Sequence, residues 1–287
     1  MYRTSLSGMK TMKKSIVWLA SYPKSGNTWT RVFLANYLMN AKEPVPINEV
    51  HRLGMGDSIA KTYHMVAGRK IDVKNIELTL KLRDKVLRGI VGNNADINFV
   101  KTHNIRKVAR GVPLIPEQYT KSAIYILRNP LDMVLSYARH YSASVEEAVM
   151  RIGREDNGNA PDEKTVAQYL GKWSDHVDSW TKNPPFPLLT IRYEDLLAEP
   201  EKNFTKVLEH IGVPVDQDRL NRAVEFSSFK ALSEQEKKTG FVEKPKQAEK
   251  FFNKGQSGQW KEDLSEELIQ KIKRDHGNVM KRFGYLS

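Results

Sequence analysis

The chain of 287 residues contains no cysteine. Disulfide bonds, thiolate nucleophiles and thiolate metal sites are therefore excluded. Its seven histidines are scattered along the sequence, without an H-E-x-x-H pattern or a comparable ligand spacing. We therefore expect chemistry that uses no metal ion.

The sequence also lacks a long apolar run, because no segment approaches the roughly 20 apolar residues of a membrane-spanning helix. Lysines before the apolar segment 15–20 imitate the start of a secretory signal. That segment is too short for a signal, and Ser21 and Pro23 interrupt it without a cleavage pattern of small residues. We predict a cytoplasmic protein in which residues 1–11 are a flexible leader and residues 12–287 form one domain.

Acidic residues are fewer than basic ones, with 34 Asp and Glu against 46 Lys and Arg and a net charge of +12. This excess favours an anionic partner, such as a nucleotide-like cofactor, a nucleic acid or an acidic surface. Aromatic residues make up only 9% of the chain. No Arg/Gly-rich or helix-turn-helix signature accompanies the charge, so a dedicated nucleic-acid binder is the weaker option.

Apolar segments typical of buried strands recur along the chain, at 16–20, 96–103, 121–127 and 187–193. Segments with helical spacing of apolar residues separate them. Strands that alternate with helices predict an α/β fold, with a single P-loop-like domain whose central parallel β-sheet is flanked by helices on both faces.

The pattern outside these strands leads to more specific expectations. Apolar residues from Val166 to Trp180 predict one amphipathic helix, and 153–161 is a polar loop that could act as a lid. Residues 51–68 are ambiguous. The Lys-rich stretch 234–259 is predicted to be solvated and flexible, with a possible role as a basic flap over an anion.

The segment 15–34 combines a strand, a tight loop and a helix. Asn27 and Thr28 offer oxygens that can cap this helix, and its positive end would point into the loop, where Lys24 adds a charge. The predicted occupant is an anion. The loop is not a Walker A motif, because Lys24 precedes Gly26 rather than following a glycine directly.

Polar residues also follow the next two predicted strands. Lys101 and His103 end one strand, and Arg128 ends the next. Pro130 suits the first turn of a helix that begins just beyond Arg128, and Ser136 lies two turns along it. Ligands of open α/β sheets bind beyond the carboxyl ends of the strands, so chemistry is expected at these positions.

Four short motifs therefore follow one another along the chain, at 22–29, 101–103, 128–136 and 255–261. Together they resemble the sulfotransferases that use 3′-phosphoadenosine 5′-phosphosulfate (PAPS), especially the cytosolic and bacterial small-molecule branch. The resemblance covers nearly the whole chain. It implies PAPS as donor, adenosine 3′,5′-bisphosphate (PAP) as product, a small-molecule hydroxyl as acceptor and no metal.

The resemblance also implies a donor site. The residues of the first motif that would hold the 5′-phosphosulfate are Lys24, Ser25, Gly26, Asn27, Thr28 and Trp29. Trp29 would also lie against the adenine. The 3′-phosphate would be held by Arg128 and Ser136. The adenine contacts would be Tyr193, Ser227, Ser228 and Phe229. Where the family has Arg-Lys-Gly at the 3′-phosphate, this chain has Asn253, Lys254 and Gly255.

Sulfuryl transfer resembles phosphoryl transfer, an in-line displacement in which positioning and charge stabilisation dominate. By resemblance, His103 is the general base for the acceptor hydroxyl. Lys24 would stabilise the leaving phosphate oxygen, and Lys101 the sulfuryl oxygens. Ser136 would hold Lys24 back until the acceptor binds.

Two other functions stay open on the residues alone. The strand-loop-helix segment and the basic charge also suit a P-loop kinase-like phosphotransferase that uses ATP. The net charge and the Lys-rich stretch suit a noncatalytic polyanion binder. The acceptor could be a phenol, an alcohol, a sugar or a natural product. Residues 40–95 make the interval between Lys24 and Lys101 longer than in the animal cytosolic enzymes of the family, and they are expected to reshape the acceptor pocket.

Overall fold

A computed structural model of the chain describes residues 13–93, 95–245 and 248–286. Its central strands are β1 (Ile16–Ser21), β2 (Gly54–Gly56), β3 (Asn98–Thr102), β4 (Thr120–Leu127) and β5 (Leu188–Arg192). They form one five-stranded sheet in the order β2-β3-β1-β4-β5, and every neighbouring pair is parallel. The predicted parallel α/β sheet is confirmed.

The described residues form helices between the strands of the sheet, except between β3 and β4, and after the last strand. In chain order they are α1 (Asn27–Leu38), α2 (Ala60–Ala67), α3 (Ile76–Val91), α4 (Pro130–Tyr141), α5 (Val145–Ile152), α6 (Trp173–Thr181), α7 (Tyr193–Ala198), α8 (Pro200–His210), α9 (Gln217–Phe226), α10 (Phe229–Thr239), α11 (Trp260–Asp263) and α12 (Glu266–Arg282). A 3-10 helix spans Ile47–Arg52, and two short hairpins pair Val108–Ala109 with Val112–Pro113 and Gly158–Asn159 with Gln168–Tyr169.

Helices cover both faces of the sheet. Side chains of β1 alternate between two hydrophobic clusters: Trp18 and Ala20 pack with residues of α3, α4, α6 and α12, whereas Val17 and Leu19 pack with residues of α1, α8 and α9. Because both faces are buried, β1 is apolar at nearly every position instead of alternating with polar residues.

The strand order brings several loops to one edge of the sheet. From β1 the chain forms β2 and β3 on one side and then crosses to β4 and β5 on the other. Ala20 lies opposite Thr102 of β3, and Ser21 lies opposite Ile126 of β4. The residues that follow β1, β3 and β4 therefore meet at the point where the strand order reverses, which is where open α/β sheets bind ligands.

The predicted helix from Val166 to Trp180 is wrong in its first half, since helix α6 begins only at Trp173. The preceding residues are extended: the Tyr169 N–H donates to Asn104 Oδ1 at 2.8 Å, and the Tyr169 carbonyl accepts from the Ile105 N–H at 2.7 Å. Their apolar side chains are buried as expected. Burial alone does not distinguish a helix from an extended segment.

The expectation of a flexible stretch at 234–259 is also corrected for the part of it that is described. Helix α10 continues to Thr239. Beyond it, Phe241 and Phe252 are buried against α1, and the carboxylate of Glu236 accepts hydrogen bonds from the N–H groups of Phe251 and Phe252 at 2.7 and 2.9 Å. These contacts anchor both ends of the segment.

The ambiguous residues 51–68 contain β2 and α2. The sequence did not predict β2, the fifth strand of the sheet, because this strand has only three residues and two of them are glycines. Among the helices of the described ranges, none has the length and apolar character to cross a bilayer. The leader predicted for residues 1–11 lies outside the described residues.

Two buried histidines predict how stability depends on pH. Burial lowers the pKa of His176 and of His276 from 6.5 to about 4. Since the unfolded chain binds these protons near pH 6.5 and the folded chain only near pH 4, the free energy of unfolding should be highest above pH 6.5. It should fall towards pH 4 by roughly 1 kcal/mol per pH unit for each histidine.

Urea unfolding between pH 7.5 and 4.5 measures this slope. Glutamine does not titrate, so His276→Gln should reduce the slope by the contribution of one histidine. The exposed His51 provides the control, and His51→Gln should leave the slope unchanged. An unchanged slope in the His276→Gln variant would contradict the prediction.

Candidate active site

The loop after β1 leaves the start of α1 open. Gly26, which precedes α1, has φ +104° and no side chain to cap the helix, and the first turn contains no acidic residue. The expected caps from Asn27 and Thr28 do not form: Asn27 Nδ2 instead donates to the Leu19 carbonyl at 2.8 Å, back towards β1. The first N–H groups of α1 therefore remain available to an anion.

Close packing explains why position 26 is a glycine. A Cβ atom there would lie 2.8 Å from Cδ2 of Tyr193, at the start of α7, and the positive φ would strain any other residue. Lys24 also has a positive φ, +68°, although it is not a glycine. Such backbone conformations are frequent in loops that clamp a ligand.

Several buried polar atoms around this loop have no hydrogen-bond partner among the described residues. They are Ser25 Oγ, Asn27 Oδ1, Trp29 Nε1 and Arg128 Nε. Buried polar groups normally have a partner. Three of these atoms carry a hydrogen to donate, so the surroundings of the loop suit an anion with several oxygens.

Arg128 connects the loop to two other parts of the chain. Its Nη1 donates to the Lys24 carbonyl and its Nη2 to the Gln256 carbonyl, both at 3.1 Å. The guanidinium also lies 4.3 Å from the ring centroid of Tyr193. Arg128 thus joins the loop after β1, the start of α7 and the motif 255–261.

The motif 255–261 is held in place by α4. The carboxylate of Asp132 accepts hydrogen bonds from the N–H groups of Gly258 and Trp260, at 2.7 and 3.2 Å. Gly255 packs directly on Phe229, because a Cβ atom at position 255 would lie 2.4 Å from the Phe229 ring. The sequence motif therefore marks a backbone segment that touches the predicted adenine-stacking residue.

The remaining residues predicted for the donor site differ in their placement. Ser227 Oγ donates to a carbonyl within α9 at 2.8 Å, and Ser228 Oγ caps α10. Asn253 and Lys254 are exposed, and Lys254 Nζ lies 3.6 Å from a carboxylate oxygen of Asp263.

Lys24 lies in a strongly positive environment. Its Nζ is 3.7 Å from the centroid of the Phe251 ring. Burial, followed by the charges of Arg128, Lys101 and Arg139, lowers the pKa of Lys24 to about 7. An anion bound in the loop would favour the protonated form of Lys24 and raise this pKa.

His103 follows β3 and presents one bare ring nitrogen. Its Nδ1 is 2.8 Å from the Ser21 carbonyl, which can only accept, so Nδ1 carries the hydrogen and Nε2 keeps a free electron pair. Burial and the charge of Lys101 lower the pKa of His103 to about 3. His176 fixes the backbone here, since its Nε2 donates to the His103 carbonyl at 3.0 Å.

A buried carboxylate holds the residues on both sides of His103. Thr102 Oγ1 and Asn104 Nδ2 donate to the same oxygen of Asp57, at 2.8 and 3.0 Å, and Arg83 of α3 donates to it at 2.6 Å. Residues 40–95 thus contribute directly to the position of His103. Neither Asp57 nor Arg83 stands in a motif, so sequence reasoning missed them.

Three further charged or titratable residues near Lys101 were also missed. The carboxylate of Glu243 accepts from Lys101 Nζ at 2.9 Å and from Arg31 Nη1 at 2.8 Å. Burial and the charges of Lys24 and Lys101 lower the pKa of His140, on α4, to about 3. Ser136 is partly buried and lies one helical turn before His140, on the same face of α4.

The lowered pKa of Lys24 predicts proton uptake when an anion binds in the loop. A bound anion should raise this pKa, so that at pH 8.5 nearly one proton enters with each anion bound. The affinity should then fall by up to about tenfold per pH unit above pH 7. Calorimetry in buffers with different ionisation enthalpies measures the uptake.

Lys24→Arg is the matched variant for this measurement. Its guanidinium keeps its proton throughout this pH range, so the uptake should disappear while the positive charge stays. Equal uptake by the variant and the original protein would show that another group takes the proton.

Comparisons with known proteins identify the family of the chain. The family described as "Sulfotransferase domain" matches residues 14–284. Mouse sulfotransferase 1 family member D1 is 24% identical over 274 residues, which cover 92% of this chain and 83% of the relative. Cytosolic sulfotransferase 12 of Arabidopsis thaliana is 24% identical over 278 residues, which cover 91% and 76%.

Solved structures share the fold. The crystal structure of mouse sulfotransferase SULT7A1 complexed with PAP has a TM-score of 0.60 and 19% identity, over 93% of this chain and 85% of that one. A structure of retinol dehydratase with androsterone and PAP has a TM-score of 0.64 and 16% identity, over 94% and 81%. The family match spans almost the whole described chain, and this protein belongs to the sulfotransferase family.

Proposed function

We propose that the protein transfers the sulfuryl group of PAPS to a hydroxyl of a small molecule. The observation that carries the proposal is the uncapped start of α1, where the buried Ser25 hydroxyl has no partner within the described ranges and Lys24 and Arg128 supply positive charge. The names of relatives support it, since one structural neighbour was solved with PAP and one relative is a flavonol 3-sulfotransferase.

Separate groups of side chains would hold the two ends of the donor. The loop 24–29 would take the 5′-phosphosulfate, because its open N–H groups and the Ser25 hydroxyl can donate to phosphate oxygens. Arg128 and Ser136 would take the 3′-phosphate. Arg128 is supported by its unpartnered Nε and by its contacts with the loop and the motif 255–261.

Aromatic side chains near Arg128 would hold the adenine. Trp29 and Tyr193 pack edge to face, with their ring centroids 5.7 Å apart, beside the Arg128 guanidinium. Phe229 lies against the Gly255 backbone and offers a face for stacking. Ser227, Ser228, Asn253 and Lys254 complete the proposed donor site. The two serines directly precede Phe229 in the chain, and Asn253 and Lys254 directly precede Gly255.

His103 would act as the general base. Its Nε2 is the only ring nitrogen free to accept a proton from the acceptor hydroxyl, because Nδ1 is bound to the Ser21 carbonyl. A base with a pKa near 3 is weak, but negative charge brought in with a donor would raise this pKa towards the working pH. The negative charge of the donor would therefore make His103 a stronger base.

Lys24 and Lys101 would stabilise the negative charge that develops during transfer. Lys24 belongs to the loop after β1 and would stabilise the leaving phosphate oxygen. Lys101 belongs to β3, two residues before His103, and would stabilise the sulfuryl oxygens. Ser136 shares a helix face with His140. The charge of Lys24 helps to lower the pKa of His140, so Lys24 lies near this face of α4. The position of Lys24 therefore supports a contact between Ser136 and Lys24. In phosphotransferases, metal ions neutralise part of the charge that develops during transfer. In this proposal, positioned lysine side chains stabilise that charge.

The acceptor and the location belong to the same proposal. We expect a small hydroxyl compound, which could be a phenol, an alcohol, a sugar or a natural product, and a cytoplasmic site of action. The relatives support this, since one is named cytosolic sulfotransferase and another flavonol 3-sulfotransferase. The family match favours this function over the kinase-like and polyanion-binding alternatives.

Incubation with PAPS and a panel of phenols, alcohols and glycosides tests the function, with sulfated product detected by mass spectrometry. His103→Ala should lower turnover by about 10²–10⁴-fold because it removes the base. The affinity for PAP should stay within a few-fold, since His103 holds no part of the nucleotide in this proposal. His51→Ala is the control, because His51 is an exposed histidine of the 3-10 helix Ile47–Arg52.

Two results would count against the proposal. Full turnover by His103→Ala would remove the assigned base. Tight, magnesium-dependent binding of ATP together with no affinity for PAP would favour the kinase-like alternative instead.

A further inference from the structure

Glu243 is an acidic residue placed among the cations of the candidate active site. One oxygen of its carboxylate accepts from Lys101 Nζ at 2.9 Å, and the other accepts from Arg31 Nη1 at 2.8 Å. Only 4% of the Arg31 side chain is exposed, against 22% for Lys101 and 27% for Glu243. The two cations are thus held mostly out of water with one anion between them.

The two cations and the carboxylate come from different parts of the fold. Arg31 lies one turn beyond Asn27 on α1, so it shares the helix face that Asn27 turns towards the end of β1. Lys101 is part of β3, two residues before His103. Glu243 comes from the segment that follows α10 and is anchored by Phe241.

The charges explain why the carboxylate stays ionised. Burial alone would raise the pKa of the Glu243 carboxyl, but the charges and hydrogen bonds of Lys101 and Arg31 outweigh burial and hold this pKa well below its usual range. Arg31 has further capacity to bind an anion, since its Nε is buried without a partner among the described residues.

We propose that Arg31 and Lys101 together form the subsite for the sulfuryl group of the donor, and that the Glu243 carboxylate occupies this subsite until the donor binds. The inference rests on the proposed function. A carboxylate and a sulfuryl group both present several oxygens that share a negative charge, so two cations spaced for one can hold the other.

Glu243 and the sulfuryl group cannot both occupy this subsite. Two anions in contact at a partly buried position repel each other strongly, so the donor must displace the Glu243 side chain. The partial exposure of Glu243 leaves it room to rotate towards water. Once the sulfuryl group has passed to the acceptor, the Glu243 carboxylate can return to the two cations, which PAP does not need because it has no sulfuryl group.

The alternative is that the ion pairs only anchor the segment after α10. The two ligands PAPS and PAP separate these explanations, because they differ in the sulfuryl group and share the rest of the molecule. A purely structural Glu243 would affect both affinities by the same factor. A Glu243 that competes with the sulfuryl group affects PAPS alone or far more strongly.

Calorimetric titration of the full chain with PAPS and with PAP, without acceptor, tests the inference. Glu243→Gln should lower the Kd of PAPS by roughly tenfold and change the Kd of PAP by less than about threefold. Arg31→Gln should raise the Kd of PAPS by a similar factor and again leave that of PAP nearly unchanged. Glu249→Gln makes the same charge change at an exposed position of the same segment and should alter neither Kd.

A second variant protects the test against a folding defect. Glu243→Asp keeps the charge but shortens the side chain by one methylene, so it should weaken the contact with Arg31. Its PAPS affinity should lie between those of the original protein and of Glu243→Gln. Equal changes in both Kd values, or weaker PAPS binding by Glu243→Gln, would overturn the inference. If the original protein binds neither nucleotide, the proposed function fails instead.

Discussion

Mutual repulsion between cations at the carboxyl edge of the sheet is the constraint on which this site depends. Burial, together with the charges of Arg128, Lys101 and Arg139, lowers the pKa of Lys24 to about 7. A folded chain tolerates such a cluster when anions offset part of its charge. Glu243 offsets one charge from within the chain, and the excess that remains attracts a ligand with several negative charges.

The general plan of this site could be predicted because it follows from the rules of parallel sheets. Lys24, His103 and Arg128 each come shortly after an apolar run, and parallel strands bring such positions to one edge. The partners of these residues could not be predicted in the same way. Arg31 and Glu243 are 212 positions apart and belong to no shared pattern, so only the folded chain makes them neighbours.

The errors in secondary structure have a related physical origin. The residues before Trp173 are apolar at helical spacing, yet they are extended because their backbone hydrogen bonds go to Asn104 and Ile105 in another part of the chain. The Lys-rich segment after α10 has the composition of a solvated loop, but Phe241 and Phe252 anchor it. In both places a tertiary contact decides the conformation.

The buried carboxylate of Asp57 has a consequence for how this protein can change over evolution. It joins α3, through Arg83, to the two residues that flank His103. A shift of α3 that enlarged a neighbouring pocket would therefore also move the residue assigned to proton transfer. Substitutions should be tolerated more readily at positions that share no contact with this carboxylate, such as the exposed Arg154.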